Sequence, residues 1–289
     1  MRKYFSNPAS FINAPLILDW DNPSWCAYFF AEVSALAYHD GTKAKKELKA
    51  IGFNSYKFLE NDGAQCHIFN NSEHLVIAFR GTEPTEFSDV KADLLAIKRK
   101  SKTEGRVHMG FKLELRKLWS DISAILKNKK QRIWICGHSL GGAMATLCAS
   151  RLEELEPTLY TYGSPRVGGS EWRDGCDVEH YRFVNNNDIV TAVPLWLMGY
   201  RHHGTVRYID YYGRIKRMTF GQKVKDVAVD LFDMKGKDRS LLVKIGGYMR
   251  DINPDVWVDY LMKQISILGA TGFDWSKYIR VNCKCKERI

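Results

Sequence analysis

The chain has 289 residues, 45% hydrophobic and 12% aromatic, enough to bury a large core in one α/β domain. Its seven cysteines are an odd number, which argues against a disulfide framework and favours, weakly, a reducing compartment. No apolar run reaches the ~18 residues that span a bilayer, no internal repeat is present, and no recognised nucleic-acid-binding motif accompanies the net charge of +10.

The first residues, Met1 to Pro8, are basic, but Asn13, Pro15, Asp19, Asp21 and Pro23 interrupt any continuous apolar stretch. The expectation is a protein without a cleavable signal peptide, cytoplasmic or peripheral to a membrane, with a leaderless or processed route of secretion left open. Trp25, Tyr28, Phe29, Val33, Leu36 and Ala37 recur at helical spacing and predict a helix over Ser24–His39. A second helix, Lys43–Ala50, stops at Gly52. Three strand-like runs follow, Ser55–Leu59, Gln65–Phe69 and Leu75–Phe79, with polar turns between them. Arg80-Gly81-Thr82 closes the third; on its own it reads as a plain turn. Phe87–Ile97 reads as a short helix, and a longer one leads from His108-Met109-Gly110-Phe111 through Lys127.

Charge is unevenly placed along this half. Between Lys91 and Arg132 there are 13 Lys/Arg against four Asp/Glu, a local excess of nine (13 − 4). The bland reading is a solvated helix face and loop. The sharper one is a patch drawn to an anionic membrane or lipid surface.

Arg132-Ile133-Trp134-Ile135-Cys136 has the β-branched and aromatic bias of a buried strand. Gly142 to Ser150 is small and apolar, suited to a helix packed closely on a sheet. Between them stands Gly137-His138-Ser139-Leu140-Gly141, a G-x-S-x-G in the strand-to-helix context of a nucleophile elbow. Strands Thr158–Tyr162, His180–Asn185 and Thr205–Asp210, separated by helices and loops, indicate βαβ units and a largely parallel sheet. Past Gly213 comes a basic segment and an amphipathic helix, Pro254–Leu268, expected to pack back on the domain. The whole chain, 1–289, is thus expected to be one domain, with a core at about 24–212 and an extension at about 213–289.

A serine hydroxyl needs a base, and the base needs an orienting carboxylate. In hydrolases of this architecture both follow the serine in the order acid, then histidine. Asp188, just past a strand end, fits the first place. His202 and His203, on the next loop, both fit the second. His138 lies inside the elbow, and the remaining histidines precede Ser139 or Asp188. Cys283 and Cys285 lack the partners of a zinc site, and adjacent His202 and His203 are poorly placed to share a metal.

The motifs occur in an order that resembles the class 3 lipases, a family of α/β-hydrolase fold. They are Leu36-Ala37-Tyr38, Phe79-Arg80-Gly81-Thr82, Asp93-Leu94, His108-Met109-Gly110-Phe111, the elbow, Tyr160 to Gly168, Asn187-Asp188-Ile189-Val190 and Tyr200-Arg201-His202-His203-Gly204. The resemblance runs from about Ala35 to about Tyr208. It implies an α/β-hydrolase fold with a central, mostly parallel sheet and a short lid at Pro84–Val90. It further implies Ser139 as nucleophile, Asp188 as orienting acid and His202 as base, through an H-x-G pattern that ends at Gly204. Thr82 and the Leu140 backbone N–H would form the oxyanion hole, and His108 would be structural. The implied activity is hydrolysis of acyl esters of glycerol lipids through an acyl-enzyme, with no cofactor. Phospholipase A1 or short-chain esterase action, and a lipase-like binding scaffold, are the alternatives. Expected partners are a lipid or ester substrate and an anionic lipid surface, not nucleic acid.

Overall fold

The computed structural model describes residues 20–81, 97–185, 188–209 and 215–216. Helix α1, Pro23–Leu36, opens on a proline, whose missing N–H costs nothing in a first turn. Helix α2, Gly41–Ala50, begins where the Asp40 carboxylate accepts from the Thr42 and Lys43 N–H groups. Strands β1 (Ser55–Asn61), β2 (Ala64–Asn70) and β3 (His74–Phe79) form an antiparallel meander. A two-stranded hairpin follows, β4 (Lys98–Lys100) with β5 (Arg106–His108). It leads directly into helix α3, Met109–Leu126.

Strand β6 (Arg132–His138), helix α4 (Leu140–Arg151), strand β7 (Thr158–Tyr162), the short helix α5 (Ser170–Asp174) and strand β8 (Glu179–Asn185) make the βαβ half. Strand β9, Thr205–Ile209, and the two-residue β10, Ile215–Lys216, complete one eight-stranded sheet in the order β1-β2-β3-β6-β7-β8-β9-β10. Pairing is parallel from β3 through β9 and antiparallel at both flanks.

Because helices cover both faces, the central strands β3, β6 and β7 are buried at every position but Arg132 instead of alternating with solvent. Leu75, Ile77, Phe79, Ile133 and Ile135 face a core shared with Phe111, Leu115, Leu118 and Ile122 of α3 and with Met144 and Leu147 of α4. Val76, Ala78, Trp134, Cys136 and Tyr160 face the opposite core, filled by Phe29, Phe30, Val33 and Leu36 of α1 and Leu48 of α2. The resulting α/β sheet has its parallel strands all ending on one edge. The elbow lies on that edge.

The hairpin β4–β5 departs from the helix-or-loop reading of the basic run. Three consecutive basic residues carry no alternation, so the strand is invisible in the hydropathy pattern. It forms through ladder bonds and two clamps, Ser101 N–H to the Gly105 carbonyl (2.8 Å) and Met109 N–H to the Ile97 carbonyl (2.9 Å). Cys26, Cys66, Cys136, Cys148 and Cys176 are buried free thiols. Thr82, the lid at Pro84–Val90, the predicted helix Phe87–Ile97 (apart from Ile97) and the helix Pro254–Leu268 lie outside the described residues.

Candidate active site

Ser139 occupies the single residue between β6 and α4, with φ 55 and ψ −127. An L-residue at such a positive φ costs ~1–3 kcal/mol and persists only where the surroundings force it. The forcing elements are close backbone approaches. A Cβ at Gly137 would strike the Gly141 carbonyl, one at Gly141 would strike the Phe79 carbonyl, and one at Gly142 would lie 2.9 Å from the Ser164 Cβ. The turn is pinned from the neighbouring strand by the Ser139 N–H, which donates to the Tyr162 carbonyl at 3.0 Å.

A serine at a helix N-cap ordinarily spends its hydroxyl on the first-turn N–H groups. Ser139 stands at the N-cap of α4 but makes no such side-chain bond. Its hydroxyl is therefore not consumed by the fold. The N–H of Leu140 begins the first turn of α4, where backbone donors lack intrahelical acceptors and the helix dipole favours negative charge. The end of β3 arrives beside the elbow, with Gly81 so placed that a Cβ there would lie 2.6 Å from the His138 carbonyl. Thr82 follows Gly81 in sequence and is not among the described residues.

Asp188 follows the end of β8 and caps a 3₁₀ turn, Ile189–Ala192, its Oδ1 accepting from the Val190 N–H at 3.0 Å. Its Oδ2 is buried with no hydrogen-bond partner, and burial pushes the carboxyl pKa up to about 7. This carboxylate lies against the turn after β7, because a side chain at Gly163 (φ 60) would strike Oδ2. Asp188 and Ser139 thus sit at the ends of β8 and β6, on the same sheet edge.

His202, half-buried, precedes β9, and its Nε2 lies 2.8 Å from the Thr191 carbonyl. A carbonyl only accepts, so Nε2 carries the proton and, in the neutral ring, Nδ1 carries the lone pair. Thr191 belongs to the turn that Asp188 caps, and its hydroxyl donates to the Asp188 carbonyl at 2.8 Å. His202 is therefore tied to Asp188 through backbone. No hydrogen bond joins its ring to the Asp188 carboxylate or to Ser139 in this arrangement.

His203 is engaged elsewhere. Its Nε2 donates to the Cys176 carbonyl at 3.0 Å, which leaves Nδ1 to accept from His180 Nδ1 at 3.1 Å. His180 Nε2 then accepts from the Thr161 hydroxyl at 2.8 Å. Burial holds both rings below the usual histidine range, and His180 well below it. His138 turns inward to the Tyr38 hydroxyl at 2.8 Å, and burial lowers its pKa to about 3. His108 caps α3 and stacks on Phe111. Among the described residues, no three His, Cys, Asp or Glu side chains gather as a metal site.

Three contributors escape sequence reasoning. Tyr38 meets His138 across 100 residues of chain. The Thr191 carbonyl is backbone, so its identity carries no signal. Arg166 buries its guanidinium against the Ala192 and Pro194 carbonyls, and its N–H donates to the Val193 carbonyl at 2.8 Å. It thereby fixes the loop that joins Asp188 to His202, and burial lowers its pKa to about 10. A charged residue in the otherwise uncharged run Tyr160 to Gly168 was the one available hint.

Residues 76–198 match the family described as Lipase (class 3). Over that segment, less than half of its length, the chain is similar to the class 3 lipases. The family segment holds Ser139 and Asp188 and ends just before His202. The chain is similar to a secreted mono- and diacylglycerol lipase of Fusarium solani, 35% identical over 118 residues, or 36% of this chain and 34% of that protein. It is also similar to the toxin TseL of Vibrio cholerae, 31% identical over 188 residues, or 48% of this chain and 29% of that protein. The matched segments thus span about a third of the length of these two relatives.

Among solved structures, a lipase from Rhizopus microsporus var. chinensis aligns with a TM-score of 0.55 at 24% identity, over 64% of this chain and 74% of that one. A triacylglycerol lipase whose catalytic centre is described as a serine protease triad aligns with a TM-score of 0.54, over 64% of this chain and 79% of that one. The chain shares the α/β-hydrolase fold of these lipases.

Proposed function

We propose that this chain is a serine carboxylic ester hydrolase that cleaves acyl esters of glycerol lipids, with Ser139 as nucleophile. The observation that carries this reading is the elbow: a serine at φ 55, held by glycines at close approach, with its hydroxyl unspent on the helix it caps. The match to the class 3 lipases and the likeness to a mono- and diacylglycerol lipase support the substrate class.

In the proposed reaction Ser139 Oγ attacks the acyl carbonyl carbon while His202 takes the hydroxyl proton. The tetrahedral oxyanion is stabilised by the Leu140 N–H and by Thr82, the roles that the family resemblance gives to these two residues. Losing one such donor typically costs ~2.7–4 kcal/mol of barrier. As the C–O bond breaks, His202 returns the proton to the leaving alcohol. Water then deacylates the enzyme by the same proton route. Asp188, ionised, stabilises the imidazolium and positions it through the turn that carries Thr191. No metal or organic cofactor enters these steps.

Ser139→Ala, assayed on p-nitrophenyl esters of graded chain length, tests the reading: hydrolysis should fall by at least about 10³-fold. Hydrolysis equal to that of the wild type would overturn it. A panel of triolein, tributyrin and phosphatidylglycerol separates lipase from short-chain esterase and phospholipase A1 action at the same serine. A second reading, a lipase-like binding scaffold, is favoured by the missing hydrogen bonds among Ser139, Asp188 and His202. A folded wild type inert on every ester and phospholipid would select it.

A further inference from the structure

We propose that the 3₁₀ turn Trp196–Met198 and the β4–β5 hairpin together form a docking surface for anionic lipid bilayers. Three consecutive large apolar side chains, Trp196, Leu197 and Met198, are 57%, 48% and 40% exposed, and Ile97 at the base of the hairpin is 53% exposed. Single exposed apolar residues are ordinary, but a run of this kind marks an interaction surface. A tryptophan at its head suits the boundary between headgroups and acyl chains, where one end of the ring is wet and the other apolar.

The turn is held to the hairpin by cations. Lys98 Nζ donates to the Met198 carbonyl at 2.9 Å and lies over the Tyr200 ring at 5.0 Å. Arg201 Nη1 donates to the Trp196 carbonyl at 2.8 Å, and Gly168 bridges both the hairpin strand at Val107 and Arg201. The apolar tips therefore project from a fixed base and not from a loose loop.

Charge selects the partner. The hairpin exposes Arg99, Lys100, Lys102 and Arg106 beside the apolar turn, and Glu104 is its one acidic residue. An apolar wedge rimmed by cations matches a bilayer whose headgroups carry negative phosphates: the tips enter the acyl boundary while the rim meets the phosphates. A protein partner would bury the apolar turn but would leave most of the cationic rim without a complement. The turn lies between Asp188 and His202 in sequence. Docking here would also present a lipid surface to the sheet edge that carries Ser139, a consequence that rests on the proposed hydrolase function. The docking itself does not.

The test is co-sedimentation of full-length protein in a Ser139→Ala background, so that no lipid is consumed, with phosphatidylcholine vesicles with and without phosphatidylglycerol. Binding is expected only with phosphatidylglycerol, and it should weaken as salt rises. The triple variant Trp196→Ala/Leu197→Ala/Met198→Ala and the pair Arg99→Glu/Lys100→Glu should each weaken binding by about tenfold or more. Circular dichroism confirms that each variant is folded.

Absence of wild-type binding, or binding unchanged in both variants, overturns the proposal. So does a self-associating wild type that the triple variant returns to monomer without loss of vesicle binding, which would assign the turn to contacts between copies. Failure of wild-type hydrolysis on a water-soluble ester bears on the catalytic reading alone.

Discussion

Two polar clusters accompany the C-terminal half of the sheet, and they are built in opposite ways. In the first, Thr161, His180, His203 and the Cys176 carbonyl form a chain in which every donor has an acceptor and both tautomers follow from the ends. In the second, the Asp188 Oδ2 is buried without a partner, and Ser139 stands at an N-cap without using its hydroxyl. A buried polar group without a partner costs ~1–3 kcal/mol; Arg182 Nε, Asn185 Oδ1 and Tyr200 Oη share that state, and what sets Asp188 Oδ2 apart is its place on the sheet edge that carries Ser139. The closed cluster is structural. The open one is where the proposed chemistry is placed, and the two adjacent histidines are bonded differently, His202 to the Thr191 carbonyl and His203 to His180 and the Cys176 carbonyl.

The comparison breaks most sharply at those two residues. His202→Ala should lower kcat on a soluble ester by about 10³-fold or more while leaving the unfolding midpoint nearly unchanged. His203→Ala should do the reverse, with kcat of the folded fraction within a few-fold of wild type and a loss of ~1–3 kcal/mol in stability, read by urea titration. The opposite pattern would exchange their roles.

Next in size is the frame of the elbow. Gly141→Ala places a methyl against the Phe79 and Arg80 carbonyls, and backbone cannot move aside as a flexible side chain can. A loss of at least ~2–3 kcal/mol is expected, with activity falling alongside it.

Asp188→Asn sharpens the open cluster from the other side. The folded-state pKa of about 7 lies above the ordinary 3.8, so the fold disfavours the ionised form. That cost is absent below pH 3.8, grows as pH rises, and is complete above about 7. The variant should therefore raise Tm by roughly 5 °C at pH 8 and by little at pH 4, while lowering activity. A catalytic role for the ionised carboxylate also predicts wild-type activity that rises as pH passes through about 7.

The smallest effect belongs to the closed cluster. His180 and His203 are held neutral by burial, with Arg182 adding to the effect on both, so the unfolded chain takes up protons first as pH falls below 6.5. Their contribution to stability is complete above 6.5 and declines below it. His203→Gln, which keeps a donor for the Cys176 carbonyl, should flatten that acid limb in thermal melts between pH 6.5 and 5.

Much of this was legible in the sequence because it is local. The elbow needs one strand, one serine, its glycines and one helix within a short stretch, and each left its own mark. The parallel sheet was legible in strands separated by helices and loops. The proposed roles of Asp188 and His202 rest on the family's motif order as well, since an Asp after three asparagines reads first as a turn. What the sequence hid is either backbone or distant. The Thr191 carbonyl that fixes the His202 tautomer has no residue identity, and the Tyr38–His138 contact spans 100 residues. The β4–β5 hairpin is masked by its own charge. The separation of His203 from His202 required His180, a neighbour that only the pairing of β7 with β8 brings to Thr161.

The central claim is that Ser139 is the activated nucleophile of an ester hydrolase. It is met most directly by covalent labelling. Wild-type protein treated with a p-nitrophenyl phosphonate ester should gain one adduct, found by peptide mass spectrometry on the fragment containing Ser139. His202→Ala should label much more slowly, and His203→Ala at close to the wild-type rate. Folded wild type that takes up no label, or takes it up at a serine other than Ser139, would contradict the account.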